Sequence, residues 1–192
     1  MIHFEYMPAE MPIKNSSVAR VFFALWPEEL VQTTLHSLAT EYQSQCEGRI
    51  MDADTLHMTL LFLGEIERAH LPLLRQTAGK VSVPPFGFVL DSLSFWSYNR
   101  IAYATPLVEV PALYQLATAL QQELIAAGFL FENYEFNPHV TLIRQVGHIL
   151  ESQAIAPIAW QVDAFVLVES VTTDQGARYQ ILQKWPLLPV GH

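Results

Sequence analysis

One short pattern, written twice, constrains this chain more than any other feature of its sequence. Leu56-His57-Met58-Thr59-Leu60 and Pro138-His139-Val140-Thr141-Leu142 each set a histidine and a threonine two residues apart in an apolar run. In a strand, residues i and i+2 share a face, so each motif presents an imidazole beside a hydroxyl. Met58, Leu60, Val140 and Leu142 then point the other way and suit a core. Placing the polar pair on a strand is unfavourable unless it finds partners or a wet cleft. Two such pairs predict two similar lobes facing each other across that cleft.

The elements around the motifs repeat in the same order. Val21 to Trp26 reads as a buried strand ended by Pro27. A helix then starts at Pro27-Glu28-Glu29, with Leu30, Val31, Thr34, Leu35 and Leu38 on its apolar face. The strand His57–Leu63 follows, closed by Gly64. In the second half come strands over 86–95 and 100–105, a helix over 111–127 with Leu113, Leu116, Leu120 and Leu124 in register, and the strand 139–143. A helix over 68–81 and a closing hairpin of strands 160–171 and 179–185, turning at Thr173-Asp174-Gln175-Gly176, complete the expectation. The fold class is α+β: two pseudo-symmetric lobes of antiparallel strands with outer helices, the His-x-Thr pairs facing a central cleft. Residues 1–18 lack periodicity and read as a disordered tail, leaving 19–188 as a single bilobal domain.

Charge and composition narrow the partners. Ten basic residues against 19 acidic give a formal charge of −9, which excludes a broad grip on a nucleic-acid backbone. A small site for one terminal phosphate remains open. Half of the chain is apolar, with 51% hydrophobic residues, so a core forms without a metal or a disulfide. Cys46 is the lone cysteine and suits a reducing compartment. It has no Cys partner and there is no His-x-x-x-His pair, so no metal is expected. Neither a signal peptide nor an apolar run of spanning length is present, so the chain is expected to be cytoplasmic, off the membrane and monomeric.

Two imidazoles and two hydroxyls across one cleft suit transfer at phosphorus. In-line displacement needs one oxygen to lose a proton and another to gain one. Histidine, with an ordinary pKa of about 6.5, can do either near neutrality. Threonine hydroxyls can donate to the non-bridging oxygens.

With these residues in place, the sequence resembles the 2H phosphoesterase superfamily, and within it the RNA 2′,3′-cyclic phosphodiesterase family (ThpR/LigT-like, also called 2′-5′ RNA ligase). The similarity runs from about Arg20 to Trp185. It is carried by the opening Arg20-Val21-Phe22-Phe23-Ala24-Leu25, by the block from Thr55 to Glu65, by Phe136-Asn137-Pro138-His139-Val140-Thr141-Leu142-Ile143-Arg144, and by Gly176-Ala177-Arg178-Tyr179. The resemblance implies hydrolysis of an RNA terminal 2′,3′-cyclic phosphate to a 2′-phosphate, with no cofactor and no metal. It implies His57 as proton donor, His139 as proton acceptor, and Thr59 and Thr141 as phosphate ligands. Arg144 is a further phosphate candidate, although strict alternation puts it on the face of Leu142, and a strand end or a bulge would be needed to bring it round. Asn137 stands where the family often has Arg or His, and Ile101-Ala102-Tyr103-Ala104 lacks a tryptophan common there.

Plainer readings weigh against each choice. A single strand histidine is usually a hydrogen-bonded structural residue; the duplication is what favours a functional pair. His3, His36, His70, His148 and His192 read as solvent-facing, and Arg20 and Arg100 as structural or rim charges. Phe23, Phe95, Trp96 and Tyr103 are candidates for stacking on a terminal base. Substrates other than RNA 3′ ends stay open: small cyclic nucleotides, 2′-5′ linked RNA in a reversible ligation, or a binding module that takes an RNA end without turning it over.

Overall fold

The computed structural model describes residues 16–132, 135–148, 151–173 and 176–188. Most of the tail expected over 1–18, together with His3, His192 and the centre of the turn at 174–175, lies outside them. Two antiparallel sheets organise the rest. The first takes the order β3-β1-β8-β9 and the second β2-β6-β5-β4-β7. The strands are β1 (Val18–Leu25), β2 (Arg49–Ile50), β3 (Met58–Glu67), β4 (Phe86–Trp96), β5 (Ile101–Thr105), β6 (Val140–Arg144), β7 (Gln153–Val162), β8 (Ala164–Thr173) and β9 (Gly176–Pro186). Three helices, α1 (Glu29–Cys46), α2 (Leu71–Ala78) and α3 (Pro111–Ala126), cover them. The helix α1 lies against β2, β6 and β7, while α3 lies against β3 and α2.

Apolar burial explains the layering. Val21, Phe23, Leu25, Phe165 and Leu167 from the first sheet share one core cluster with Leu90, Ala104, Val140 and Leu142 from the second. The stripe Leu113, Leu116, Leu120 and Leu124 of α3 is wholly buried there. A smaller cluster of Phe22, Ala24, Val166 and Val168 covers the opposite face of the first sheet, against Trp26, Phe62 and Tyr179. That second cluster is why β1 is buried on both faces from Val21 onward, and it becomes one wall of the cleft.

Several expectations need correction. β1 starts at Val18, two residues before Arg20. Leu30 is 75% exposed and leaves the apolar face of α1 to Val31, Leu35 and Ala39. Gly64 does not close its strand; β3 runs through it to Glu67. Residues 68–81 divide into a 3-10 turn at Arg68–His70, the helix α2 and a turn at Gly79-Lys80. The largest difference is at 160–171, which is two strands in two sheets. Trp160 and Val162 of β7 bury one alternating face beside β4. After Asp163 the chain crosses over, and β8 pairs with β1. No glycine or proline marks the crossing, and only Asp163 interrupts the pattern there.

The strand β2 was also unmarked. It pairs with β6, Arg49 opposite Arg144 and Ile50 opposite Ile143, and Gly48 makes the approach possible. Gly48 has φ +92°, and a Cβ there would lie 2.7 Å from the Arg144 carbonyl oxygen. Replacing Gly48 by alanine should therefore cost about 1–3 kcal/mol, from both strain and clash. Gly128 has a similar φ of +87° but open space around it, so Gly128→Ala should cost less. Urea melts of the two variants check this; equal losses would mean the contact with β6 is unimportant.

Candidate active site

Each motif strand carries an extra residue just past its threonine; β3 carries a second, Leu63, farther on. On β3, Phe23 pairs with Leu61 and Ala24 with Thr59, leaving Leu60 without a partner on β1. On β6, Ala102 pairs with Ile143 and Tyr103 with Thr141, leaving Leu142 without a partner on β5. A bulge shifts the alternation by one residue. Leu142 and Ile143 are both buried, and Arg144 comes round to the side of Thr141. By the same shift Phe62 comes round to the side of Thr59. Both halves thus build the same unit, with Phe62 in the first where Arg144 stands in the second.

The two units meet at one place. A hollow of about 90 Å³ is lined by His57, Thr59, His139, Thr141 and Arg144, with Met51 and Thr55 beside them. The five residues singled out from the sequence are therefore brought together. A larger hollow of about 430 Å³ adjoins it, sharing His57, Thr59 and Arg144 but not His139 or Thr141. The cleft is lopsided, extending from the shared hollow along the His57 wall.

Both imidazoles are anchored in the same way. His57 Nδ1 lies 2.7 Å from the Thr55 carbonyl oxygen and His139 Nδ1 lies 2.7 Å from that of Asn137. A carbonyl can only accept, so Nδ1 carries the proton in each ring and Nε2 is left for the cleft. The carbonyls are themselves placed locally. Thr55 ends a 3-10 turn tied by its own hydroxyl to Asp52, and the Thr105 hydroxyl donates to the Pro138 carbonyl at 2.7 Å.

Their aromatic surroundings differ. Trp26 stacks on His57 with centroids 5.1 Å apart and planes within 3°, while Phe22 and Tyr179 close its other sides. His139 meets ring edges, Trp96 at 4.5 Å and Tyr103 at 5.6 Å. Trp96, opposite Ile101 at the end of β4, brings a tryptophan to the site although β5 lacks one. Of the other stacking candidates, Phe23 is fully buried and Phe95 packs against the core, so neither can reach a base.

Burial and neighbouring charge favour the neutral form of both rings. Burial pushes the His57 pKa down to about 4, opposed by the hydrogen bond to Thr55, with the charges of Arg144 and His139 pushing further down. His139 is lowered too, by burial first and then by Arg144, against its hydrogen bond to Asn137. Arg144 therefore acts on both.

Outside the site, Arg100 is structural, its Nε donating to the Val146 carbonyl at 2.7 Å. His70 and His148 are exposed, and His148 lies 3.6 Å from Glu47. His36 is half-buried on α1. Among the described residues no three His, Cys, Asp or Glu gather where they could hold a metal, and no helix is long and apolar enough to cross a membrane. Sequence reasoning missed Trp26, Phe22, Phe62, Tyr179 and Arg49. Only Phe62 carried a usable signal, since it stands five residues after His57 as Arg144 stands five after His139.

Comparison with known proteins agrees with this geometry. The LigT like Phosphoesterase family pattern matches residues 25–103. An Escherichia coli protein named RNA 2′,3′-cyclic phosphodiesterase is 32% identical over 177 residues, covering 90% of this chain and 98% of that one. A Thermus thermophilus protein of the same name is 26% identical over 183 residues, covering 88% and 90%. Among solved structures, E. coli LigT in apo form superposes with a TM-score of 0.79 at 29% identity, covering 91% of this chain and all of that one. E. coli LigT complexed with 3′-AMP gives 0.80 at 28% identity, covering 90% and 99%. With nearly the whole length of a 32% identical relative matched, the chain belongs to the LigT-like phosphoesterase family.

Proposed function

We propose that this protein is an RNA 2′,3′-cyclic phosphodiesterase, opening a terminal cyclic phosphate to a 2′-phosphate, with His57 and His139 as its acid and base. The observation that carries the reading is the shared hollow, into which two Nδ1-anchored imidazoles, two threonines and one guanidinium converge. The names of the E. coli and T. thermophilus relatives agree with it.

The steps balance without a cofactor. Water gives a proton to His139 Nε2 and its oxygen attacks phosphorus. The bond from phosphorus to O3′ breaks, and O3′ takes a proton from His57 Nε2, leaving a 3′-hydroxyl and a 2′-phosphate. Thr59, Thr141 and Arg144 hold the non-bridging oxygens as charge gathers there. The two histidines end with exchanged protonation and reset through solvent. Run backwards, the same groups exchange roles. Arg144 supplies a fixed positive charge beside both histidines, in keeping with a reaction run by side chains alone.

The donor role asks His57 to be charged, although the free protein holds it neutral at pH 7. An anionic phosphate offsets the charge of Arg144 and compensates for burial, so substrate binding itself recharges the ring. Trp26, face to face with His57, favours the imidazolium further. Protonated in the complex and titrating closer to neutrality, the ring is matched to giving its proton to O3′. All of these groups come from one chain, so a monomer suffices, and an unpaired, buried Cys46 is in keeping with work in the cytoplasm.

Substituting either His57 or His139 by alanine should lower hydrolysis of a 2′,3′-cyclic phosphate at least about 100-fold with the fold intact. Thr59→Ala and Thr141→Ala should cost less, about tenfold each. Near-normal turnover in either histidine variant would remove the acid–base pair.

Titration gives a separate check. A histidine whose folded pKa lies below its unfolded value contributes stability that is complete above about pH 6.5 and is lost as pH falls toward 4. Denaturation across that window should show the loss in the wild type and less of it in His57→Ala. Adding adenosine 2′-phosphate should raise the His57 midpoint, followed by NMR, from about 4 toward neutrality. A midpoint unmoved by the nucleotide would contradict the recharging step.

A further inference from the structure

The larger hollow carries charge that the chemistry above does not use. Arg49 and Arg144 stand directly opposite each other on the β2–β6 ladder, and both line this hollow. Directly opposed residues share a face, and like charges placed so repel. Arg20 lines the hollow from the other sheet, its guanidinium carbon 5.0 Å from the centre of the Phe62 ring. Three of the ten basic residues of an acidic chain thus surround one cavity. Among the described residues none of the three has a carboxylate in ion-pair range; the close pairs are Arg68 with Glu169 and His148 with Glu47. Asp52 lines the hollow without reaching any of them.

Arg144 borders both hollows, but Arg49 and Arg20 border only the larger one. They face space that the scissile phosphate, held between the two histidines, does not fill. At about 430 Å³ that space is of the size that takes a small organic ligand. We propose that Arg49 and Arg20 form a second phosphate subsite, which holds the internucleotide phosphate on the 5′ side of the terminal nucleoside. The enzyme is then built for the ends of RNA chains in preference to free cyclic mononucleotides. An anion at this point relieves the Arg49–Arg144 repulsion, and the nucleoside lies between its two phosphates along the His57 wall. Contact is limited to one linkage, which reconciles RNA recognition with a net charge of −9.

This inference rests on the function proposed above, and a binding measurement separates the two because it needs no turnover. Calorimetry would compare adenosine 2′-phosphate, adenosine 2′,5′-bisphosphate and a dinucleotide ending in a 2′-phosphate. The bisphosphate and the dinucleotide should each bind about tenfold or more tightly than the monophosphate. Arg49→Gln and, separately, Arg20→Gln should bring that ratio toward one. Equal affinities for all three ligands in the wild type would overturn the subsite, as would a ratio that survives both substitutions. An advantage confined to the bisphosphate would overturn the assignment to an RNA linkage. If cyclic-phosphate hydrolysis fails while the ratio holds, it is the proposed reaction that falls and not the subsite.

Discussion

The extra leucine in each motif strand is the constraint on which the site depends. Without a bulge, the residue three places after a motif threonine would point into the core, and a guanidinium there would be buried without a partner. With Leu60 and Leu142 each dropping out of one ladder, that residue joins the threonine on the cleft face. The cost is a local break in pairing with β1 or β5, offset by burying the leucines, at 4% and 0% exposure. Bulges commonly re-aim a side chain beside an active site. Here one device is used twice, and the two halves differ in what it delivers, Phe62 or Arg144.

That difference makes a nearly symmetric scaffold into an asymmetric catalyst. Arg144 reaches both histidines electrostatically and lines the shared hollow. Phe62, in the matching place, builds the aromatic wall and meets Arg20. The aromatic residues around His57 exclude water, which lowers its pKa and strengthens every interaction with a bound anion. Burial and the proposed catalysis are linked in this way: the low-dielectric wall that favours the neutral ring also strengthens the attraction between an imidazolium and a bound anion.

Much of this was legible in the sequence, for identifiable reasons. The threonines lie on β3 and β6, where period two turns them to the cleft, whereas His57 and His139 stand immediately ahead of those strands and are held by their Nδ1 hydrogen bonds. The helix α3 was legible because its leucines recur at helical spacing and Pro111 and Gly128 bracket it. Three things were hidden. A bulge leaves no mark when the inserted residue is a leucine among leucines, so Arg144 could not be placed by counting. The passage from β7 to β8 has only Asp163 to announce it. Arg49 and Trp26 reach the cleft through long-range pairing and packing, which a local pattern does not encode.

In the proposed reaction, two histidines held in one hollow open a terminal cyclic phosphate and direct which oxygen leaves. The most direct test is to incubate the purified protein, with EDTA present, on an RNA oligonucleotide ending in a 2′,3′-cyclic phosphate and to read the product by phosphorus NMR. The account predicts complete conversion to the 2′-phosphate with the chelator present. A 3′-phosphate product, or turnover that stops with EDTA and returns with added metal, would contradict it.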